Sequence, residues 1–242
     1  MNTPFISIII PTFEEERYIE AILRQFPSSL RERCRAELII SDGGSSDKTV
    51  SVARSHADVV IESDKTQTIA AGRNAGARTA RGEVLMFFNA DVRLDNPELF
   101  ISKMSVTVSD TSVAAATCDV LVNPEEETLA DKLFHRSFNW YCRVLNSLGI
   151  GMGRGECHVF RKVLFNQVGG YNEAIVAGED FEFFHRMRRV GNIAYVRALT
   201  VYESPRRYRA YGYLKVGFLW FANAISVLFF RRSLSKRWTH IR

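Results

Sequence analysis

The chain has 242 residues, 46% apolar and 24% charged, enough to bury a sizeable core in one large α/β domain with a short appendage. Its formal charge of +5 is unevenly placed: residues 205–242 hold nine Lys/Arg and no acid, while all 27 Asp/Glu precede them. That asymmetry points to an anionic partner, and nucleic acid is disfavoured because the tail's aromatics form one apolar run instead of alternating with its basic residues. Cys34, Cys118, Cys142 and Cys157 show no metal or redox spacing, and the N-terminal "MNTPFISIIIPTFEEE" lacks a basic leader, so a cytoplasmic protein with reduced thiols is expected.

Apolar runs and helical patterns alternate through the first half. "FISIII" (5–10) reads as a strand stopped by Pro11, and "EEERYIEAILRQF" (14–26) as a helix with acids in its first turn. "AELIIS" (36–41) is a second strand, closed by the turn cluster "DGGSSDKT", with a short helix over 47–56 and a third strand at "DVVIE" (58–62). The Ala-rich 66–80 is helical and "EVLMFF" is a fourth strand. This order predicts a mostly parallel central sheet flanked by helices. Further on, 96–108 and 127–148 read as helices, 112–122 as a strand, 149–162 as a Gly-rich loop entering a strand, 178–191 as a short helix, and "NIAYVR" as a strand.

Ligands of open α/β sheets bind beyond the carboxyl ends of the strands. Three polar clusters fall there: Pro11-Thr12-Phe13-Glu14, Asp42-Gly43-Gly44-Ser45-Ser46-Asp47 and Asn89-Ala90-Asp91. Each has a plain reading, since Asp before Gly-Gly is a common turn residue and Asp47 suits a helix start. Jointly they place Asp42 and Asp91 over one crevice, with Arg73 and Asn74 on the intervening helix. Carboxylates plus an arginine suit a nucleoside diphosphate and an oxygen-seeking divalent cation. No Walker lysine motif is present and no GxGxxG follows the first strand, which disfavours ATP hydrolysis and dinucleotide redox.

With these residues in place the sequence resembles glycosyltransferase family 2, inverting sugar transferases of the GT-A fold. The matching pieces are "SIIIPTFEEE", "IISDGGSSDKT", "AGRNAGARTARGEVLMFFNADVRL", "GGYNE" and "GEDFEFFHRMRRVG", in the family's order across roughly residues 5–200. The resemblance implies a nucleotide-diphosphate sugar donor bound by Pro11, Thr12, Glu14, Asp42, Arg73, Asn89, Ala90 and Asp91. It further implies Mg²⁺ or Mn²⁺ on Asp91 and Asp180 as the base that activates the acceptor. Gly155, Glu156 and Glu179 fall on the acceptor side. One position departs from the pattern: the first residue of the Asp-X-Asp motif is Asn89, which implies a bond to ribose or to a metal-bound water and weaker metal dependence. Glu179 and Asp180 also read as acids complementing a helix dipole, and His158 as a buried, satisfied histidine. Arg154 and His158 are alternatively within reach of phosphate or sugar.

The division expected is a transferase domain over 1–204, with a nucleotide-binding half to about residue 95, and a basic, apolar helical tail over 205–242. Within the tail, Tyr213–Phe230 has a single charge, and Leu214, Phe218, Phe221, Ile225 and Leu228 share one helical face. At ~1.5 Å per residue the run is about 27 Å long, just short of a ~30 Å hydrocarbon core. It therefore suits a helix lying on the cytoplasmic face of a membrane, with crossing, packing on the domain and a homodimer contact as alternatives. Membrane association through residues 206–237 would make a lipid-linked sugar a natural acceptor. Two other functions compete: a sugar nucleotidyltransferase, against which the acidic "PTFEEE" argues, and a non-catalytic nucleotide-binding scaffold, against which the retained Asp180 argues.

Overall fold

A computed structural model describes residues 5–235, apart from the Leu228 side chain. Lys236, Arg237 and Arg242 of the basic tail lie outside the described residues. Four strands come first: β1 (Ile6–Thr12), β2 (Ala36–Asp42), β3 (Val59–Glu62) and β4 (Val84–Phe88). Between them run α1 (Ile19–Leu23), α2 (Ser28–Cys34), α3 (Thr49–Arg54) and α4 (Ile69–Thr79). Then follow β5 (Arg93–Leu94), α5 (Pro97–Ser109), β6 (Val113–Val122), α6 (Leu129–Ser147), β7 (Cys157–Arg161) and α7 (Lys162–Val168). The chain continues through α8 (Glu179–Met187), β8 (Asn192–Glu203), α9 (Arg206–Tyr211) and α10 (Tyr213–Phe230).

One sheet has the order β3-β2-β1-β4-β7-β6-β8-β5. β1 to β4 are mutually parallel, whereas β7 runs antiparallel to both β4 and β6. β1 and β4 are buried along their whole length, which is why both read as uninterrupted apolar runs. β1 does not stop at Pro11 but continues to Thr12. Its pairing with β4 ends at Ile9–Phe87 while β2 stays in register to Asp42, so Pro11 lies where the sheet can do without an N–H.

One core packs β-sheet residues such as Ile8, Ile10 and Met86 against α1, α2 and α5; the other packs Ile9, Leu85 and Phe87 against α4, α7 and α8. Helix α4 approaches β1 closely: a Cβ on Gly76 would stand 2.3 Å from Ile9 Cγ2. The tail is integrated with this body. Tyr208, Val216, Asn223 and Val227 are buried, Arg209 pairs with Asp131 of α6, and Trp220 stacks among Phe134, Phe138 and Tyr208. Among the described residues no helix is long and apolar enough to cross a membrane.

Candidate active site

The reversal of strand order between β1 and β4 opens a crevice at their carboxyl ends, the place where such sheets bind ligands. A cavity of about 690 Å³ lies there. Pro11, Thr12, Arg73, Asn89, Ala90, Asp91, Gly155, Glu156, Glu179 and Asp180 all line it, bringing together residues from β1, α4, the end of β4, the Gly-rich loop and α8.

Two expected donor residues stand behind this wall. Asp42 is 2% exposed; its Oδ1 accepts from Thr12 Oγ1 at 2.9 Å and Ser45 Oγ at 2.6 Å, and its Oδ2 from the Gly44 and Ser45 amides at 2.9 and 2.7 Å. Asp42 therefore shapes the turn. Glu14, in the left-handed region at φ 57°, accepts at Oε1 from the Ser46 amide and hydroxyl, both at 2.8 Å. Its neighbour Glu15 faces the cavity instead. The expected helix over 14–26 is reduced to Ile19–Leu23: Glu14 leaves the helical region, and the amides of Glu14, Glu15 and Glu16 tie the loop to Ser45, Thr49 and Asp47.

Arg73 is fully buried and does not project freely toward a nucleotide. Its Nη1 donates to Glu179 Oε1 at 2.8 Å, and its Nη2 to Asn89 Oδ1 at 3.2 Å and to the Gly155 carbonyl at 3.0 Å. One guanidinium thus ties α4, the β4 end, the Gly-rich loop and α8 together. Asn89 turns its side-chain oxygen to Arg73 and still lines the cavity. The Gly155 backbone approaches this junction closely: a Cβ there would lie 3.1 Å from Arg73 Nη2 and 3.8 Å from Asp180 Oδ2.

Glu179 and Asp180 are adjacent yet differ in environment. Glu179 is neutralised by Arg73, while Asp180 Oδ1 accepts from the Phe181 amide at 2.8 Å. Burial, reinforced by the neighbouring Glu179 charge, pushes the Asp180 carboxyl up to about 7. A carboxylate so tuned can take a proton near neutral pH. At the other end, burial raises Asp91, opposed by Arg206, whose Nε stands 3.3 Å from Asp91 Oδ2. Burial and then Glu156 raise Glu203 well above the usual carboxylate range, although Arg154 Nη2 donates to Glu203 Oε1 at 2.5 Å. Arg154 is thus a buried partner of carboxylates. His158 is buried too, its Nδ1 2.6 Å from the Tyr171 hydroxyl, and burial then Arg73 hold it well below the usual histidine range.

Sequence reasoning missed Glu15, Glu203, Arg206 and Arg207, all in the cavity wall. Glu15 had a visible signal in the "EEE" run after the first strand. Arg206 and Arg207 stood in the basic tail, where a lipid surface explained them equally well.

A divalent ion finds the half-buried Asp91 carboxylate just beyond β4, which with substrate phosphates makes a set of hard oxygen donors that fits Mg²⁺ or Mn²⁺. Among the described residues no group of three or more His, Cys, Asp or Glu side chains could hold a metal. The fit is therefore to a cation carried largely by the substrate.

Fold and crevice define a nucleotide-diphospho-sugar transferase architecture, and comparison places the chain within it. Residues 7–169 match Glycosyl transferase family 2, and the chain belongs to that family. It is 28% identical over 193 residues to the PGL/p-HBAD biosynthesis glycosyltransferase of Mycobacterium bovis (strain BCG / Pasteur 1173P2), covering 76% of this chain and 69% of the relative. It is 32% identical over 94 residues to Glycosyltransferase AglE of Haloferax volcanii, covering 36% of this chain and 31% of AglE. The match to AglE thus spans about a third of that protein's length. Among solved structures, mannosyltransferase PcManGT from Pyrobaculum calidifontis, in complex with GDP-Man and Mn²⁺, superposes with TM-score 0.69 at 20% identity over 93% of this chain and 65% of that one. S. aureus TarS 1-349 with UDP-GlcNAc gives 0.60 at 14% identity, over 82% and 58%. These likenesses establish the GT-A fold.

Proposed function

We propose that this protein transfers a sugar from a nucleoside-diphosphate sugar to an acceptor hydroxyl, with inversion at the anomeric carbon. The observation that carries the reading is Asp180: a half-buried carboxyl beside the Arg73–Glu179 pair, raised to about 7 by desolvation and then by Glu179, in the same cavity as Asp91. The nucleotide would lie against Pro11, Thr12, Phe13 and Gly43, with Asp42 fixing the turn beneath it. Asp180 would accept the acceptor's hydroxyl proton while the anomeric carbon is attacked from the side opposite the diphosphate. Asp91 is the residue that would hold a divalent ion, whose chemistry when bound is to neutralise charge on phosphate oxygens. The fold accommodates more than one donor, since PcManGT was solved with GDP-Man and TarS with UDP-GlcNAc. Release of nucleoside diphosphate from a panel of UDP-, GDP-, CDP- and dTDP-sugars tests the reading. One donor should be consumed by the wild type and by no Asp180→Asn protein, although that variant still binds the nucleotide. Full activity in Asp180→Asn would remove the assigned base.

The same reading extends to a lipid-linked acceptor taken from an anionic membrane surface. Leu214 (90% exposed), Phe218 (71%), Phe221, Ile225 and Phe229 project from α10, Leu133 and Trp140 (64%) from the neighbouring α6, and Leu148 from just beyond its end. Phe134 and Phe138 of α6 meet Trp220 of α10 at the seam, and Phe138, Trp220 and Phe221 also line the cavity. Lys215, Arg231, Arg232, Lys132 and Arg136 are exposed on these helices and at the α10 end, which suits phospholipid headgroups. The wild type is expected to float with vesicles containing phosphatidylglycerol and not with phosphatidylcholine alone, and Trp140→Asp or Phe218→Asp should abolish flotation. No flotation together with a concentration-dependent dimer lost in Phe218→Asp would assign the face to a second copy instead.

A further inference from the structure

The position beside Asp91 is already served by a cation of the chain itself. Arg206 opens α9 and reaches back across the crevice to Glu15, its Nη2 donating to Oε1 at 2.7 Å and its Nη1 to Oε2 at 2.8 Å. Its Nε stands 3.3 Å from Asp91 Oδ2, and its guanidinium lies 4.5 Å from the Tyr18 ring centroid. Three neighbours thus fix the plane of one guanidinium at the edge of the cavity. Arg207 follows in the same half-buried wall. Arg206 is shared between Glu15 and Asp91, and Arg207 beside it adds a second positive charge to a wall that can meet a phosphate. Asn89, two residues before Asp91, turns its side-chain oxygen to Arg73.

We propose that Arg206, backed by Arg207, is the diphosphate-binding cation of this site, so that donor binding does not require a divalent ion and an ion entering at Asp91 competes with Arg206. This inference rests on the reading of the cavity as a nucleoside-diphosphate site. A guanidinium presents five donors in one plane, is permanently charged and matches phosphate oxygens in pairs, so it can bind phosphate alongside carboxylates. In the transfer step the acceptor oxygen forms its bond to the anomeric carbon as the bond from that carbon to the diphosphate oxygen breaks. The electron pair leaves with the diphosphate, the acceptor proton goes to Asp180, and the charge gained by the diphosphate falls on Arg206 and Arg207.

Calorimetric titration with UDP, GDP, CDP and dTDP, in EDTA and in Mn²⁺, on wild type, Arg206→Ala and Arg206→Lys tests this, with Mn²⁺ binding read separately by electron paramagnetic resonance. The wild type should bind one nucleotide in EDTA within about tenfold of its affinity in Mn²⁺, and Arg206→Ala should lose about tenfold or more in EDTA but recover most of it in Mn²⁺. Arg206→Lys, which keeps the charge without the fork, should fall between them. Free of nucleotide, Arg206→Ala should bind Mn²⁺ more tightly than the wild type does. Wild-type binding only in Mn²⁺, or an Arg206→Ala protein that melts earlier yet binds nucleotide in EDTA as the wild type does, would overturn the inference and leave Arg206 a latch between tail and body. Failure of the wild type to bind any of the four nucleotides in either condition would overturn the donor-site reading and the inference with it.

Discussion

Asp180 and Glu179 are chain neighbours on one helix, and the difference between them lies in what reaches each. Arg73 neutralises Glu179, while burial and the Glu179 charge raise Asp180 to about 7 against an ordinary value near ~3.9. Two consequences have opposite signs. For catalysis, activity should fall on acidification as Asp180 protonates, with an acid limb near pH 7 in kcat/KM; a limb near pH 4 would show that the carboxyl is not so tuned. For stability, the folded protein binds this proton more tightly than the unfolded chain does. The resulting stabilisation is present below about pH 4 and is lost as pH rises through 7. Asp180→Asn should therefore unfold at higher denaturant than the wild type above pH 7, by about 1 kcal/mol or more. Glu179→Gln removes the charge that helps to raise Asp180 and leaves Arg73 nearby uncompensated. Its acid limb should move to lower pH, which a merely structural role for Glu179 would not produce.

At the scale of elements, the turn after β2 and the loop after β1 form one unit. Asp42 accepts from Thr12 on one side and from Gly44 and Ser45 on the other, and Glu14 closes the loop onto Ser46. Asp42→Ala would leave buried donors without partners, costing about 1–3 kcal/mol, and should weaken nucleotide binding through the misplaced Thr12 and Gly43; Asp42→Asn should recover part of both in a melt and a titration. The strands and the long helices here were legible in the sequence, because burial on both faces writes β1, β2 and β4 as apolar runs, and α10 spans its expected Tyr213–Phe230. The shortened α1 was not legible, since the loop over residues 14–16 is tied to side chains 31 to 34 positions away. Nor were Arg73 with Glu179, 106 positions apart, or Arg206 with Glu15, 191 apart. The family resemblance singled out Asp180, and the strand-end pattern Asp91, but only tertiary pairing shows which charges are neutralised.

Across the whole molecule the cavity has two unlike ends. Thr12, Asp91 and Arg73 of the first half, with Arg206 of α9, supply the polar end, while α6, α8 and α10 supply an aromatic end with Phe138, Tyr141, Phe181 and Trp220. A donor diphosphate belongs with the charges, and an acceptor with apolar surface belongs with the rings. Trp220 is the place to separate the two, because it stands in the aromatic wall and also packs on Phe138 at 5.3 Å and Tyr208 at 6.1 Å between ring centroids. Trp220→Ala should lower stability by about 2 kcal/mol, as expected for removing a half-buried aromatic, and Trp220→Phe should restore most of that. If the cavity is divided in this way, both variants keep nucleoside diphosphate affinity within about threefold of the wild type, a change of less than about 1 kcal/mol. Trp220→Ala then shows its loss as a raised KM for acceptor. A Trp220→Phe protein with normal stability but weakened nucleotide binding would place the donor against the rings and reverse the assignment of the two ends.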